Sequence, residues 1–162
     1  MCRHRRGIDT AISEKETADY TAGVTLGKGS DGNLYVLDVL NQHLTFNKQI
    51  SEIQRIVMKF GVNNTYVGDV GYQQALIQEL KRVGGLKIVP VKPTRDKVAR
   101  LNSVSGFFES NRVHFLKDQR KIVDQLLTFP GSPSDHDDMV DAIGMALAGM
   151  REGGSGLLVL RM

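Results

Sequence analysis

The sequence predicts an α/β fold: a central mixed sheet of about five strands, the first three antiparallel, flanked by helices. Three observations predict it. Short strand-like runs joined by turn formers occupy the first forty or so residues. From Lys48 onward, apolar residues recur at helical spacing. Short apolar runs, Leu86 to Val91 the richest in valine and isoleucine, separate those helical stretches, the alternation expected of a sheet covered by helices.

At 162 residues, one domain is expected. Hydrophobic residues at 41% and charged residues at 24% are ordinary for a globular protein. The single cysteine, Cys2, excludes an internal disulfide and a thiolate metal cluster within one chain. No run approaches the roughly 18 apolar residues of a membrane span. The basic start leads into no apolar segment of the signal-peptide kind, so a protein that is not secreted and has no membrane partner is expected.

Taken in order, residues 1–6 form a basic extension without a fold signal. Gly7 to Ala11 reads as the end of a short strand, with Asp9 at its exit, and residues 13–19 as a charged loop. Tyr20 to Leu26 is the second strand, Gly27 to Asn33 a hairpin turn, and Leu34 to Val39 the third strand. Gly27-Lys28-Gly29-Ser30 lacks the spacing of a phosphate loop and leads into a strand rather than a helix.

Lys48 to Phe60 carries Ile50, Ile53, Ile56, Val57 and Phe60 at helical spacing, and Gly61 suits its stop. Asn64 to Asp69 is a buried strand that ends in a carboxylate. Gly71 to Val83 is a helix with Ala75, Leu76, Leu80 and Val83 inward. Leu86 to Val91 is the fifth strand, and Pro90 favours an edge. Asp96 caps a helix running to about Phe108, Arg112 to Leu116 is a short strand or hairpin arm, and Asp118 to Phe129 is a helix. The domain closes near residue 150, and residues 151–162 are a glycine-rich tail.

Charge is unevenly spread. Lys81 to Lys121 holds eleven Lys and Arg against three acids, a net +8 in a chain whose total is +3. A basic segment beside acid clusters suits a polyanion. Lys92, Arg95, Lys97 and Arg100 are the cations expected to meet it, Lys97 and Arg100 lying three residues apart on one helix.

The densest acid cluster lies in Ser134-Asp135-His136-Asp137-Asp138-Met139-Val140-Asp141. Asp137, Asp138 and Asp141 share one edge of a helix by spacing, while Met139, Val140, Ile143 and Leu147 turn inward. A helix start explains Asp135 and Asp137 through the helix dipole, but not Asp141. Asp9, Asp69 and this cluster together form a carboxylate set suited to Mg²⁺ or Mn²⁺. Two such ions about 3.5–4 Å apart clamp the attacking and leaving oxygens of a phosphodiester.

These residues carry a resemblance. Gly7-Ile8-Asp9-Thr10-Ala11 with Ala18 to Gly23, Val67-Gly68-Asp69 through Gln73, Lys97 to Arg100, and His136 to Ala142 together resemble the C-terminal nuclease domain of the tailed-phage terminase large subunit. The resemblance spans residues 7 to about 148. It implies an RNase H-like fold and a metal-dependent endonuclease acting on double-stranded DNA. It also implies that Asp9, Asp69 and one of Asp137 and Asp138 are catalytic metal ligands, Asp138 being favoured, with Asp141 completing or orienting the set. The partners implied are the terminase ATPase domain, the small terminase and the portal, in the cytoplasm of the host cell. No Walker motif occurs in these residues, so the translocating ATPase of that family is not among them. The alternatives are a junction resolvase or other RNase H-like nuclease, and a non-catalytic module that docks to portal or DNA.

Overall fold

The computed structural model describes residues 3–11, 19–69, 71, 73–92, 97–129 and 138–151, without the side chains at positions 3, 5, 6, 9–11, 19, 20 and 97. Arg95, His136, Asp137 and the glycine-rich tail lie outside the described residues.

The elements run β1 (Arg3–Ala11), β2 (Asp19–Lys28), β3 (Leu34–Leu44), α1 (Phe46–Phe60), β4 (Asn64–Gly68), α2 (Gln73–Val83), β5 (Ile88–Val91), α3 (Lys97–Glu109), β6 (Val113–His114), α4 (Arg120–Thr128) and α5 (Asp138–Arg151). One six-stranded sheet has the order β5-β4-β1-β2-β3-β6. β1, β2 and β3 form the expected antiparallel meander, and β1 also pairs in parallel with β4.

Three differences from the sequence expectation bear on the sheet. β1 begins at Arg3, because Arg3 to Arg6 pair with Thr25 to Lys28 of β2; paired backbone makes a strand even where the side chains are basic. β3 runs on to Leu44, paired with Asp19 to Gly23 of β2 beyond Val39. Residues Val113 and His114 form a sixth strand parallel to β3, not a hairpin arm, because the chain reaches them through α3. Pro90 does sit in an edge strand, β5.

The sheet divides two cores. On one face, Ala22, Val24, Leu26, Leu34 and Val36 pack with Val104 of α3, Ile122 of α4 and Met139, Ala142, Ile143, Ala146 and Leu147 of α5. On the other, Ile8 and Val67 pack with Ile53 and Val57 of α1 and Leu76, Ile77 and Leu80 of α2. The buried stripe of α2 is Gln73, Leu76, Ile77 and Leu80, so Ala75 and Val83, expected inward, are exposed. No helix among the described residues is long and apolar enough to cross a membrane.

Two glycines let α5 lie close to the sheet. A Cβ on Gly7 would strike the backbone of Ala142 and Ala146, and one on Gly149 would strike the Tyr66 ring. These contacts also fix the direction of α5. The Tyr66 hydroxyl accepts a hydrogen bond from Asn64 at the start of β4, and Gly149 lies against that outer part of the ring. Ala142 and Ala146 lie over Gly7, which is paired directly with Tyr66. α5 therefore runs antiparallel to β1 and brings Asp138 to the end of the sheet where β4 finishes beside the last residues of β1.

Candidate active site

The parallel register sets Ile8 beside Val67. One residue further, Asp9 is level with Gly68, and Asp69 follows. Strand rise and spacing put the Cα positions of Asp9 and Asp69 within about 6 Å of each other. On the other side of β4, Val91 of β5 is beside Gly68, and the Asp69 N–H donates to the Val91 carbonyl at 2.8 Å. β4 and β5 thus finish together beside Asp9, whereas β1, expected to exit at Asp9, runs on to Ala11 in pairing with β2, and Lys92 leaves β5 at the same end, exposed to solvent.

α5 closes the site from above. Between its contact over Gly7 and Asp138 lie about 9 Å of helix, against about 7 Å of strand from Gly7 to Asp9. Asp138 is buried, 8% exposed, in the first turn of α5, where the helix dipole favours an anion. Asp141 lies three residues on, in the same first turn, so the helix start bears on it too, contrary to the sequence expectation. Its Oδ1 accepts from the Arg100 Nη2 of α3 at 2.7 Å, with the two side chains 20% and 16% exposed for Arg100 and Asp141. The structure thus gives Arg100 a carboxylate partner that its sequence spacing with Lys97 does not indicate.

Asp9, Asp69 and Asp138 therefore belong to one end of the sheet by backbone position. Among the described side chains no three His, Cys, Asp or Glu groups cluster tightly enough to hold an ion. The side chain of Asp9 and all of Asp137 lie outside that set.

Two further polar residues stand at this end. Gln73, buried in the first turn of α2, folds its amide over Gly68, where any Cβ would collide with it. The run Gly68-Asp69 through Gln73 carries that signal in the sequence only as proximity. Asn41 is the second. It pairs with Ala22, and Ala22 pairs with Asp9, so the three positions form one row across the sheet. Directly paired residues share a face, and Ala22 belongs to the core beneath α5. Both amide atoms of Asn41 are shielded from solvent, and neither has a hydrogen-bond partner among the described residues. Each such orphaned group costs about 1–3 kcal/mol. Sequence reasoning misses Asn41 because the third strand reads as ending at Val39.

The basic segment does not make one face. Lys87 and Lys92 flank β5 at one edge of the sheet, whereas Arg112 and Lys117 flank β6 at the other. Arg112 is used structurally, donating to the Gly32 carbonyl at 2.9 Å and lying over the Phe107 ring. The turn between β2 and β3 is at the end of the sheet remote from Asp9. There the Tyr35 hydroxyl and the Asn33 N–H donate to Asp31 and hold its carboxyl below the usual range.

The comparisons bear on this geometry. The family described as the terminase RNaseH-like domain matches residues 6–149. The chain belongs to that family. It is a nuclease-type domain of the RNase H-like class, as the resemblance implies. No curated protein matches at the sequence level. Among solved structures, the large terminase nuclease from thermophilic phage G20c is similar with a TM-score of 0.66 at 19% identity, covering 90% of this chain and 81% of that one. The G20c nuclease is also solved with bound zinc, cobalt and magnesium. The HK97 bacteriophage large terminase is similar with a TM-score of 0.63 at 11% identity, covering 89% of this chain but 39% of its own. The yeast mitochondrial Holliday junction resolvase Ydc2 has a TM-score of 0.55 at 11% identity, over 91% of this chain and 78% of its own. At these identities the likenesses establish the fold.

Proposed function

We propose that this terminase domain is a divalent-metal-dependent endonuclease that hydrolyses double-stranded DNA, with Mg²⁺ or Mn²⁺ held by Asp9, Asp69 and Asp138. The observation that carries this reading is the common end of β1 and β4 with the first turn of α5 above it. A donor set made wholly of carboxylate oxygens fits hard divalent cations. Asp137 stands next to Asp138 in sequence and is the alternative third ligand. Asp141, tied to Arg100, orients the set from three residues further along α5.

Bound there, two ions supply the polarisation of the phosphate and the activated water of phosphodiester hydrolysis. The chain's own part is positional. β1 and β4 bring two carboxylates together through backbone pairing, and the packed α5 adds a third without adjustable loops. Like charges so close repel one another without a cation, which makes the site a cation trap. Lys92, Arg95 and Lys97, which follow one another in sequence from the end of β5 to the start of α3, supply the phosphate-facing cations of the site, and Arg100, one turn further on, is paired with Asp141. The partners on this reading are duplex DNA, the terminase ATPase domain, the small terminase and the portal, acting in the cytoplasm of the host cell.

The test is nicking of supercoiled plasmid with Mn²⁺ and with EDTA, alongside thermal melts. Wild type should nick only with Mn²⁺, and Asp69→Asn should not nick. In EDTA, Asp69→Asn should melt at the wild-type temperature or above, since one crowded charge is gone. At a hundredfold excess of Mn²⁺ over its dissociation constant, wild type should gain about 2.7 kcal/mol and the variant far less. A wild type indifferent to Mn²⁺ in both assays would make the domain a docking module. Cleavage of branched but not linear duplex would make it a junction resolvase.

A further inference from the structure

We infer that Asn41 is a positioning residue of the cation site, whose amide acquires its hydrogen-bond partners when a hydrated divalent ion is bound. The inference rests on the carboxylate-site reading and adds to it a residue from a strand outside the acid cluster. Three features of Asn41 point there.

First, its position. Asn41 of β3, Ala22 of β2 and Asp9 of β1 occupy one row, on the face beneath α5. Two inter-strand steps separate the Cα positions of Asp9 and Asn41 by about 10 Å. The residue between them has the smallest side chain short of glycine, so no bulky group blocks the row.

Second, its chemistry. The row-mates on the same face of β2 and β3 are apolar: Ala22, Val24, Val36 and Val39. A strand position facing that core would be filled more favourably by valine or leucine. Asn41 instead presents a donor and an acceptor, both shielded from solvent and both without a partner among the described residues. Gln49, by contrast, is anchored by one half of its amide, its Nε2 donating to the Leu44 carbonyl at 3.3 Å while its Oε1 is unpartnered; Asn41 is the amide with both halves orphaned among the described residues.

Third, the match with the ligand. Hard divalent ions, Mg²⁺ above all, keep part of their water when carboxylates bind them. Water both donates and accepts, which serves both halves of an amide; a phosphate only accepts. Groups that hydrogen-bond the waters and carboxylates of a metal centre fix their orientation, and their loss typically lowers metal affinity by roughly 10–100-fold.

The test uses the full chain, with Asn41→Leu and Asn41→Ser. Melting in EDTA is measured, and Mn²⁺ affinity is measured by calorimetric titration. Asn41→Leu should melt in EDTA at or above the wild-type temperature, because no native hydrogen bond is lost. Its Mn²⁺ affinity should fall about tenfold or more. Asn41→Ser, which keeps a donor and an acceptor, should retain more of the affinity, and it also serves if leucine does not fit. A variant pair that binds Mn²⁺ as tightly as wild type, or that melts several degrees lower in EDTA with unchanged affinity, overturns the inference and leaves the carboxylate site standing. A wild type that binds no Mn²⁺ overturns both.

Discussion

Gly7 is the residue on which the site's geometry turns. It lies two positions before Asp9 on the strand face that α5 covers, and the backbone of Ala142 and Ala146 occupies the space its Cβ would take. Backbone atoms of a packed helix cannot swing aside as a flexible side chain can, so α5 itself must move. Gly7→Ala should therefore cost about 3 kcal/mol, at the upper end of ordinary overpacking. Urea unfolding at fixed pH measures it. The same shift would displace Asp138 from the end of β1, so Mn²⁺ protection against heat should weaken in the variant along with stability. Gly32, by contrast, is at a turn with open space around it. Its left-handed φ of 82° matters there, and packing does not.

Among the elements, α3 and α5 form the joint that decides how firmly the third carboxylate is held. Val104 of α3 packs into the core of α5. Arg100 and Asp141 join the two helices by an ion pair less exposed than those of Arg55 with Glu52 and Arg82 with Glu79. Those two are surface pairs within one helix and contribute little. A half-buried pair between helices behaves differently, because removing one partner strands the other charge in a poorly solvated place. In a double-mutant cycle of Arg100→Met and Asp141→Leu in EDTA, we expect each single variant to lose more stability than the double. The coupling energy should be about 1–3 kcal/mol. A cycle closing to zero would mean that Arg100 is a solvated cation available to DNA.

For the whole molecule, the sheet order separates the cations that the sequence runs together. β5 and β6 are opposite edges, so Lys92 belongs to the site end of β5 whereas Arg112 and Lys117 belong to the far edge. DNA affinity should fall steeply with salt, by phosphate contact and counterion release. Lys92→Ala and Lys97→Ala should each lower the slope of log K against log salt by about 0.9, and Lys117→Ala should leave it unchanged. Fluorescence anisotropy with duplexes of unrelated sequence, at several salt concentrations, reads this directly. A slope moved equally by Lys117→Ala would put DNA across both edges.

By itself the sequence determined what depends on neighbours along the chain. The hairpin between β2 and β3 follows from turn residues, the stripes of α1 and α5 from helical period, and the carboxylates at strand exits from an acid that ends an apolar run. Asp9, Asp69 and the Asp137, Asp138, Asp141 cluster stand out as candidates by their place along the chain, and the family was legible in the same residues. Only the tertiary structure decided which strands are neighbours and in what register. Parallel pairing of β1 with β4 joins residues some sixty positions apart, and nothing local encodes it; it is set by which apolar faces two helical layers can bury. The same packing extends β3 past its apolar run, bringing Asn41 into the row of Asp9, and ties Arg100 to Asp141. A polar residue inside a strand and a cation on a helix each look solvated in sequence. What lies above and beside them is known only once the sheet has been assembled and covered.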